Sequence, residues 1–210
     1  MIYEYPDENE PIRQGDLFYP LPRMNIDLEK MAVHTPEKFE EISWENIDFD
    51  DSIIVSVPLK PVWGIVATQD CDTTRSPVIS LFEIDSLKEV TRLTLPSKPT
   101  KWVEFITKKS RENARWFYLP TDNNVGFKER MAINFELVFQ IRRMNLEQQI
   151  STLRRGRLNR VAYEHYRESI SHYFRRYPYD EWYSLTDEEF NEYNSKKGPV
   201  EPFGWQKRGI

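Results

Sequence analysis

The chain has 210 residues, of which 39% are hydrophobic and 30% charged, and its net charge is −5. This balance excludes a disordered chain and predicts a folded protein with a sizeable core. The single cysteine excludes an internal disulfide, no apolar run reaches the roughly 20 residues of a membrane helix, and the N-terminus has no secretory signal, so we expect a soluble cytoplasmic protein without membrane contact.

The N-terminal third of the chain predicts little regular structure. Residues 1–11 are polar and contain two prolines, so we expect a flexible arm. The segment Arg13–Phe18 predicts a turn that enters a strand, with Gly15 free to take a positive φ. Residues 34–51 predict a loop.

Three short apolar segments then predict strands. They are Ser52–Leu59, Val62–Ala67 and Val78–Ile84, and each is rich in β-branched residues. The connections between them are too short for a helical crossover. We therefore expect an antiparallel meander.

The rest of the chain mixes helix and strand signals. The segment Lys101–Asn113 predicts a helix, Arg115–Pro120 a strand, and Ala132–Ile141 a half-buried strand, because its apolar residues alternate with polar ones. The segment Arg160–Arg176 predicts a helix with one apolar face. A further helix is predicted after Thr186, where a capping box begins.

Together these elements predict an α+β fold. We expect an antiparallel, barrel-like β core over residues 12–141, with a helical insertion near residues 100–113. A C-terminal helical extension over residues 142–195 and an irregular tail over residues 196–210 complete the predicted organisation.

The best candidate for a functional site is the polar segment Thr68–Thr74, which follows directly on an apolar strand. Polar side chains at a strand end lie where loops normally carry function. We expect this segment to form a loop or pocket with the Arg13–Asp16 turn. The candidate residues are Arg13, Gly15, Asp16, Gln69, Asp70, Cys71 and Asp72.

Cys71 is either a nucleophile or a small buried residue. A reactive thiolate needs a nearby cation or imidazole, whereas the carboxylates on both sides of Cys71 disfavour a second anion. His34, His165 and His172 are the available bases, and all are remote in sequence. A buried thiol is the favoured interpretation.

The two carboxylates beside Cys71 also have two interpretations. Asp70 and Asp72 would chelate Mg²⁺ or Mn²⁺ if the loop curled to point both inward. The favoured alternative is that they cap backbone N–H groups or pair with Arg13 or Arg75. The chain has no zinc-type spacing of Cys and His and no nucleotide-binding motif, so we expect neither a metal nor a cofactor.

The two halves of the chain differ in charge. Residues 1–105 carry 10 Lys and Arg against 20 Asp and Glu, with an acidic cluster over residues 37–51, whereas residues 106–210 carry 19 against 14. The arginines would contact nucleic-acid phosphates, or they would form a solvated face that docks on an acidic partner or on residues 37–51. These candidates are Arg154, Arg155, Arg157, Arg160, Arg175 and Arg176.

Two separated motifs resemble a known group of sequences. The start Arg13-Gln14-Gly15-Asp16 and the strand end Thr68-Gln69-Asp70-Cys71-Asp72 resemble small uncharacterised prokaryotic proteins with an RxGD start and a (S/T)QxCD strand end. The C-terminal segments 157–168 and 173–176 resemble the helix that closes those proteins. The genes for some of them lie near phage-defence or mobile-element genes, which is the setting that this resemblance implies.

A more remote similarity concerns the small β-barrels of MazF/PemK-type toxins. They share a Gly-Asp-apolar start and an apolar strand that ends in Ser or Thr. This chain departs from them after the strand, at Gln69–Asp72, and by long insertions between strands. Ribonuclease activity is therefore not transferred to it.

Two function hypotheses follow. The first is an accessory or interaction component of a prokaryotic, anti-phage defence or toxin–antitoxin-like system, which binds a protein partner, within a multi-subunit complex, and is not an enzyme. The alternative is a nucleic-acid-binding or nucleic-acid-processing enzyme. Its pocket would contain Arg13, Asp16, Gln69, Asp70, Cys71 and Asp72.

Overall fold

A computed structural model describes residues 2–34, 39–46, 54–109 and 115–175, together with the isolated residues 188, 191 and 195. The chain divides into two compact units, Met1–Ser169 and Ile170–Ile210. The first unit contains all the strands described below. Among the described residues, no helix has the length and apolar character needed to cross a membrane.

The described elements alternate between strands and short helices. In chain order they are β1 Tyr3–Glu4, β2 Asp16–Met24, β3 Met31–His34, β4 Phe39–Ile42, a 3₁₀ turn Trp44–Asn46, β5 Ile54–Ser56, β6 Leu59–Val66, α1 Asp70–Thr73, β7 Val78–Ser86, α2 Leu87–Thr91, α3 Pro99–Glu104, a π-helical turn Phe105–Lys109, β8 Trp116–Leu119, β9 Met131–Arg142, α4 Arg143–Gln148, α5 Ile150–Leu153, β10 Arg154–Leu158 and α6 Arg160–Arg175.

The strands form two antiparallel sheets. The larger has seven strands in the order β1-β10-β2-β6-β7-β9-β8, and the smaller has the order β4-β3-β5. The predicted α+β class with an antiparallel core is thereby confirmed. Within the described residues the large sheet is open and not closed into a barrel, because β1 and β8 each pair on one side only.

One face of the large sheet packs against α4 and α5. Phe18, Leu21, Val66 and Leu146 are at most 1% exposed and belong to one apolar cluster on this face. Gly64 lies at its centre, where an added Cβ would come within 2.8 Å of Leu21 Cδ1. The close packing of this face therefore depends on the missing side chain at position 64.

The opposite face packs against α6. Asn159 caps this helix, since its Oδ1 accepts a hydrogen bond from Ala162 N at 3.0 Å. One turn later Tyr166 is 0% exposed, stacks near Phe135 with ring centroids 6.3 Å apart, and donates from its hydroxyl to Val66 O at 3.1 Å. The first turns of α6 are thus fixed on the middle of the sheet.

A second apolar cluster lies beside β8 and β9. It is built from Leu87, Phe105, Trp116 and Ala132, with the half-buried Trp102 against it. The predicted helix at Lys101–Asn113 is confirmed as far as Lys109, and its remaining residues lie outside the described part of the chain.

The structure corrects the expectations for residues 1–11. They contain β1, which forms the edge of the large sheet and pairs with β10 through Tyr3 and Leu158. Tyr3 is only 6% exposed, and its hydroxyl donates to Pro120 O at 2.8 Å. Part of the expected flexible arm, Tyr3–Glu4, is therefore an edge strand of the large sheet.

The expectations for residues 34–59 were also wrong in part. The expected loop contains β4, which pairs with β3. The expected single strand Ser52–Leu59 is interrupted after Ser56, and β5 and β6 belong to different sheets. Val57 and Pro58 separate them, and Pro58 cannot donate to a ladder.

The predicted helical extension over residues 142–195 contains a strand. Two short helices, α4 and α5, are followed by β10, which lies inside the large sheet between β1 and β2. The helix predicted at Arg160–Arg176 is confirmed as α6 to Arg175. Most of the helix predicted after Thr186, and the tail over residues 196–210, lie outside the described residues.

Candidate functional site

The segment Thr68–Thr74 leaves the sheet at the end of β6 and forms the single turn of α1. The turn is closed by backbone bonds, such as Thr73 N to Gln69 O at 3.0 Å, and by the Thr73 hydroxyl, which donates to Asp70 O at 2.9 Å. Thr73 is buried. The four candidate residues of this segment, Gln69, Asp70, Cys71 and Asp72, are all exposed.

The Arg13–Asp16 turn lies against this strand end. Gln14 is 5% exposed; its backbone N–H donates to Asp70 Oδ1 at 2.8 Å, and its side-chain Nε2 donates to Ala67 O at 2.7 Å. Gly15 donates to Val66 O at 3.0 Å with a φ of +89°, a conformation that favours glycine. The predicted tie between the two segments is confirmed through Asp70.

Asp70 also reaches α6. Its Oδ2 accepts a hydrogen bond from the Tyr163 hydroxyl at 2.9 Å. Partial burial and this negatively charged acceptor together raise the pKa of Tyr163 to about 12. Because one oxygen of Asp70 holds the turn and the other holds the helix, this carboxylate braces two elements against the strand end.

Cys71 is exposed, so the expectation of a buried thiol was wrong. It lies on the outer side of the α1 turn, with its Sγ 4.0 Å from Gln69 Oε1. The proposed bases are distributed elsewhere: His165 and His172 are exposed on α6, and the side chain of His34 lies outside the described part of the chain.

Asp16 is the most deeply buried of the candidate residues. Its side chain is 0% exposed, and its Oδ2 accepts from Arg13 N at 3.1 Å. Arg157 holds it in a bidentate contact through Nε to Oδ1 and through Nη2 to Oδ2, the latter at 3.2 Å. Arg154 approaches the same Oδ2 at 3.4 Å. Burial raises the pKa of Asp16, while the two arginines oppose that shift.

The other donors of these two arginines bind the N-terminal segment. Arg157 donates to Glu10 Oε2 at 2.8 Å and to Pro11 O at 2.9 Å, and Arg154 donates to Glu10 O at 2.9 Å and to Asp7 O. Both guanidinium groups are nearly inaccessible, with side chains 6% and 4% exposed. Their charge is therefore used inside the fold, between β10, β2 and the N-terminus.

The remaining basic candidates differ from that pair. Arg155 is exposed and donates from Nε to Tyr19 O at 3.1 Å. Arg160 and Arg175 are exposed on α6, and Arg176 lies outside the described residues. Of the six predicted phosphate or partner contacts, Arg155, Arg160 and Arg175 are thus seen to be accessible.

A second buried carboxylate was not found by sequence reasoning. The Glu83 side chain on β7 is 3% exposed, with Arg23 Nε 2.6 Å from its Oε2 and Lys60 Nζ 3.8 Å from its Oε1. Lys60 also lies 3.6 Å from Asp85 Oδ2. Burial raises the pKa of Glu83, and the two cations oppose that shift. Only the register of β2, β6 and β7 brings these residues together.

No family model and no curated protein matches this chain. Among the described residues, no group of three or more His, Cys, Asp or Glu side chains could hold a metal ion.

Proposed function

We propose that this protein acts by binding a partner protein, as an accessory or interaction component of a multi-subunit assembly, and that it is not an enzyme. The observation that supports this proposal is the state of the best candidate site. The carboxylate oxygens of Asp16 and Asp70 already accept hydrogen bonds from Arg157, Gln14 and Tyr163 of the same chain. A general base or a metal ligand needs a carboxylate that faces the reacting group.

The proposed setting is a prokaryotic defence or toxin–antitoxin-like system in the cytoplasm. It depends on the RxGD and (S/T)QxCD motifs described above. The two motif segments are in contact in this chain, since Gln14 N donates to Asp70 Oδ1.

Exposed apolar side chains on the first unit support binding to a protein. Met24 is 62% exposed, Ile54 73% and Leu59 63%. Such side chains on a folded domain mark interaction sites when they lie together. Met24 and Leu59 form the last pair of the β2–β6 ladder, at the end remote from Asp16.

The alternative function, nucleic-acid processing, depends on the exposed residues of α1. Asp72 and Cys71 are accessible, and the structure gives the Asp72 side chain no role in the fold. Asp72→Asn and Cys71→Ser are therefore suitable variants, because neither removes a brace of the site. Asp70→Ala is less suitable by itself, since it also breaks the contacts to Gln14 and Tyr163.

The test is purification of the tagged chain from its native host, with mass spectrometry of the complex and a cleavage assay on DNA and RNA. We expect a stoichiometric protein partner that Asp72→Asn and Cys71→Ser both retain, and no cleavage. Cleavage by the wild type that is lost in Asp72→Asn, Cys71→Ser or Asp70→Ala, with the fold intact, would refute the proposal in favour of the enzyme.

A further inference from the structure

Strands β2 and β6 pair over a greater length than either pairs with its other neighbour. Their ladder extends to the pair Met24 and Leu59, whereas β10 reaches along β2 only to Phe18, and β7 reaches along β6 only to Trp63. Residues 21–24 and 59–62 thus form a two-stranded ribbon, the outer ribbon, with no further strand beside it among the described residues.

One face of the outer ribbon is anchored to the protein. Leu21 and Val62 are a cross-strand pair and are 1% and 3% exposed in the sheet core. The next pair on the same face, Arg23 and Lys60, forms the ion pairs to the buried Glu83. Since paired residues share a face, this side of the ribbon is the internal one.

The opposite face is apolar, and its outer part is exposed, whereas Tyr19 and Trp63 at its inner part are half-buried and Trp63 packs against Phe127 with ring centroids 4.6 Å apart. Its pairs are Pro22 with Pro61 and Met24 with Leu59, and the last two side chains are 62% and 63% exposed. Trp63 follows two residues after Pro61, so it continues the same face, and Tyr19 stacks on it with ring centroids 4.5 Å apart. The apolar strip consists of Tyr19, Pro22, Met24, Leu59, Pro61 and Trp63.

The chain beyond the strip is both apolar and acidic. Ile26, Leu28 and Ile54 are 60%, 55% and 73% exposed. In the described part of residues 24–59, Asp27, Glu29, Glu41 and Glu45 are exposed carboxylates, and Lys30 is an exposed cation.

We propose that the apolar strip, together with the exposed carboxylates Asp27 and Glu29 that follow Met24 in the chain, binds an extended segment of a partner protein in which apolar residues alternate with Lys or Arg. Burial of the strip would supply the affinity, and the carboxylates would select the basic residues. This inference rests on the proposed function and gives it a site and a partner chemistry.

The partner lies on the face of the ribbon and not along its edge. Pro22 and Pro61 remove one N–H donor from each ribbon strand, which weakens strand addition at an edge. A second copy of this chain is disfavoured, because a symmetric contact would place two negatively charged segments against each other. The exposed apolar pairs, together with the neighbouring carboxylates Asp27 and Glu29, favour a basic partner.

The experiment uses the full chain and three short labelled peptides, observed by fluorescence anisotropy. In the first peptide Lys alternates with Val, in the second Glu alternates with Val, and in the third Lys alternates with Ser. We expect only the Lys–Val peptide to bind well, and its affinity to fall as salt is added.

The variants locate the binding site. Met24→Ser combined with Leu59→Ser should weaken the Lys–Val peptide about tenfold or more, because it replaces both members of the most exposed apolar pair of the strip with polar side chains. Val161→Ser is the matched control, since Val161 is 67% exposed on α6, and should leave binding unchanged. Circular dichroism checks the fold, and Leu59→Ser alone serves if the double variant does not fold.

Three results would overturn the inference. They are equal binding of the Lys–Val and Glu–Val peptides, a double variant that binds as the wild type does, and a concentration-dependent dimer that the double variant abolishes. If a native partner still co-purifies with the double variant, the inference fails and the proposed function stands. If no partner exists and α1 variants abolish cleavage, the proposed function itself fails.

Discussion

The two ends of the β2–β6 ladder are built from similar residues and are used in different ways. At the inner end Leu17 and Ile65 pair and are both 0% exposed, whereas at the outer end Met24 and Leu59 pair and are more than 60% exposed. The difference lies in what surrounds the ladder. The inner end has β10, β7 and helices on both faces, while the outer end has one anchored face.

The charged clusters at the two ends of the ladder also differ in their exposure. The inner end contains Asp16 with its two arginines, fully enclosed, and the outer end contains Glu83 with Arg23 and Lys60, of which Lys60 is 56% exposed. Replacing one member of a buried ion pair strongly destabilises the fold, because the remaining charge is left buried without its partner or solvent. We infer that the inner end stabilises the fold and the outer end is available for binding.

The largest expected effect is at Asp16. Asp16→Ala leaves the guanidinium groups of Arg154 and Arg157 buried without their carboxylate, and it should lower the free energy of unfolding by about 3–5 kcal/mol. Urea denaturation measures this change.

The control for Asp16 is an exposed ion pair. Glu164 lies 3.4 Å from Arg167 with side chains 60% and 51% exposed, so Glu164→Ala should change the free energy of unfolding by no more than about 0.5 kcal/mol. Equal effects of Asp16→Ala and Glu164→Ala would remove the distinction between an enclosed cluster and a surface pair.

The sequence predicted the parts of the fold that have local periodicity. The alternation over Ala132–Ile141 became β9, and the β-branched run at Val78–Ile84 became β7. It failed for Arg154–Leu158, because an arginine-rich segment has no apolar pattern of its own. That segment is a strand because Arg157 pairs with Asp16, which lies 141 residues earlier in the chain.

The same distinction applies to the candidate site. Turn chemistry and strand position identified Gln69, Asp70 and the Arg13–Asp16 turn as neighbours. The helical pattern of Arg160–Arg176 does not identify Tyr163 as the partner of Asp70, since nothing local distinguishes a tyrosine that reaches a distant carboxylate. Glu83 was missed for the same reason, because its cations come from β2 and β6.

A smaller effect is expected at the brace formed by Asp70 and Tyr163. The pKa of Tyr163 is raised from 10.0 to about 12, so its contribution to stability is complete below pH 10 and is lost as the pH rises towards 12. Tyr163→Phe should cost about 1 kcal/mol below pH 10 through the lost hydrogen bond. The cost should diminish at higher pH.

The variant Asp70→Asn tests the negative charge of Asp70 with little change in side-chain size. The amide keeps an acceptor for Gln14 N but removes the negative charge beside the phenol, so the pKa of Tyr163 should fall towards its ordinary value. NMR of ring-labelled tyrosine measures the titration, with Tyr163→Phe to assign the signal. An unchanged pKa in Asp70→Asn would mean that burial alone sets it.

The smallest expected effect on stability is at the outer end. Leu59 is 63% exposed, so Leu59→Ser removes little buried surface and should change the free energy of unfolding by at most about 0.5 kcal/mol in urea denaturation. Val62→Ser, two residues along the same strand, is the matched contrast, since Val62 is 3% exposed and belongs to the sheet core. If Leu59→Ser were as costly as Val62→Ser, the apolar strip would support the fold of the isolated chain, and its exposure would no longer argue for a partner.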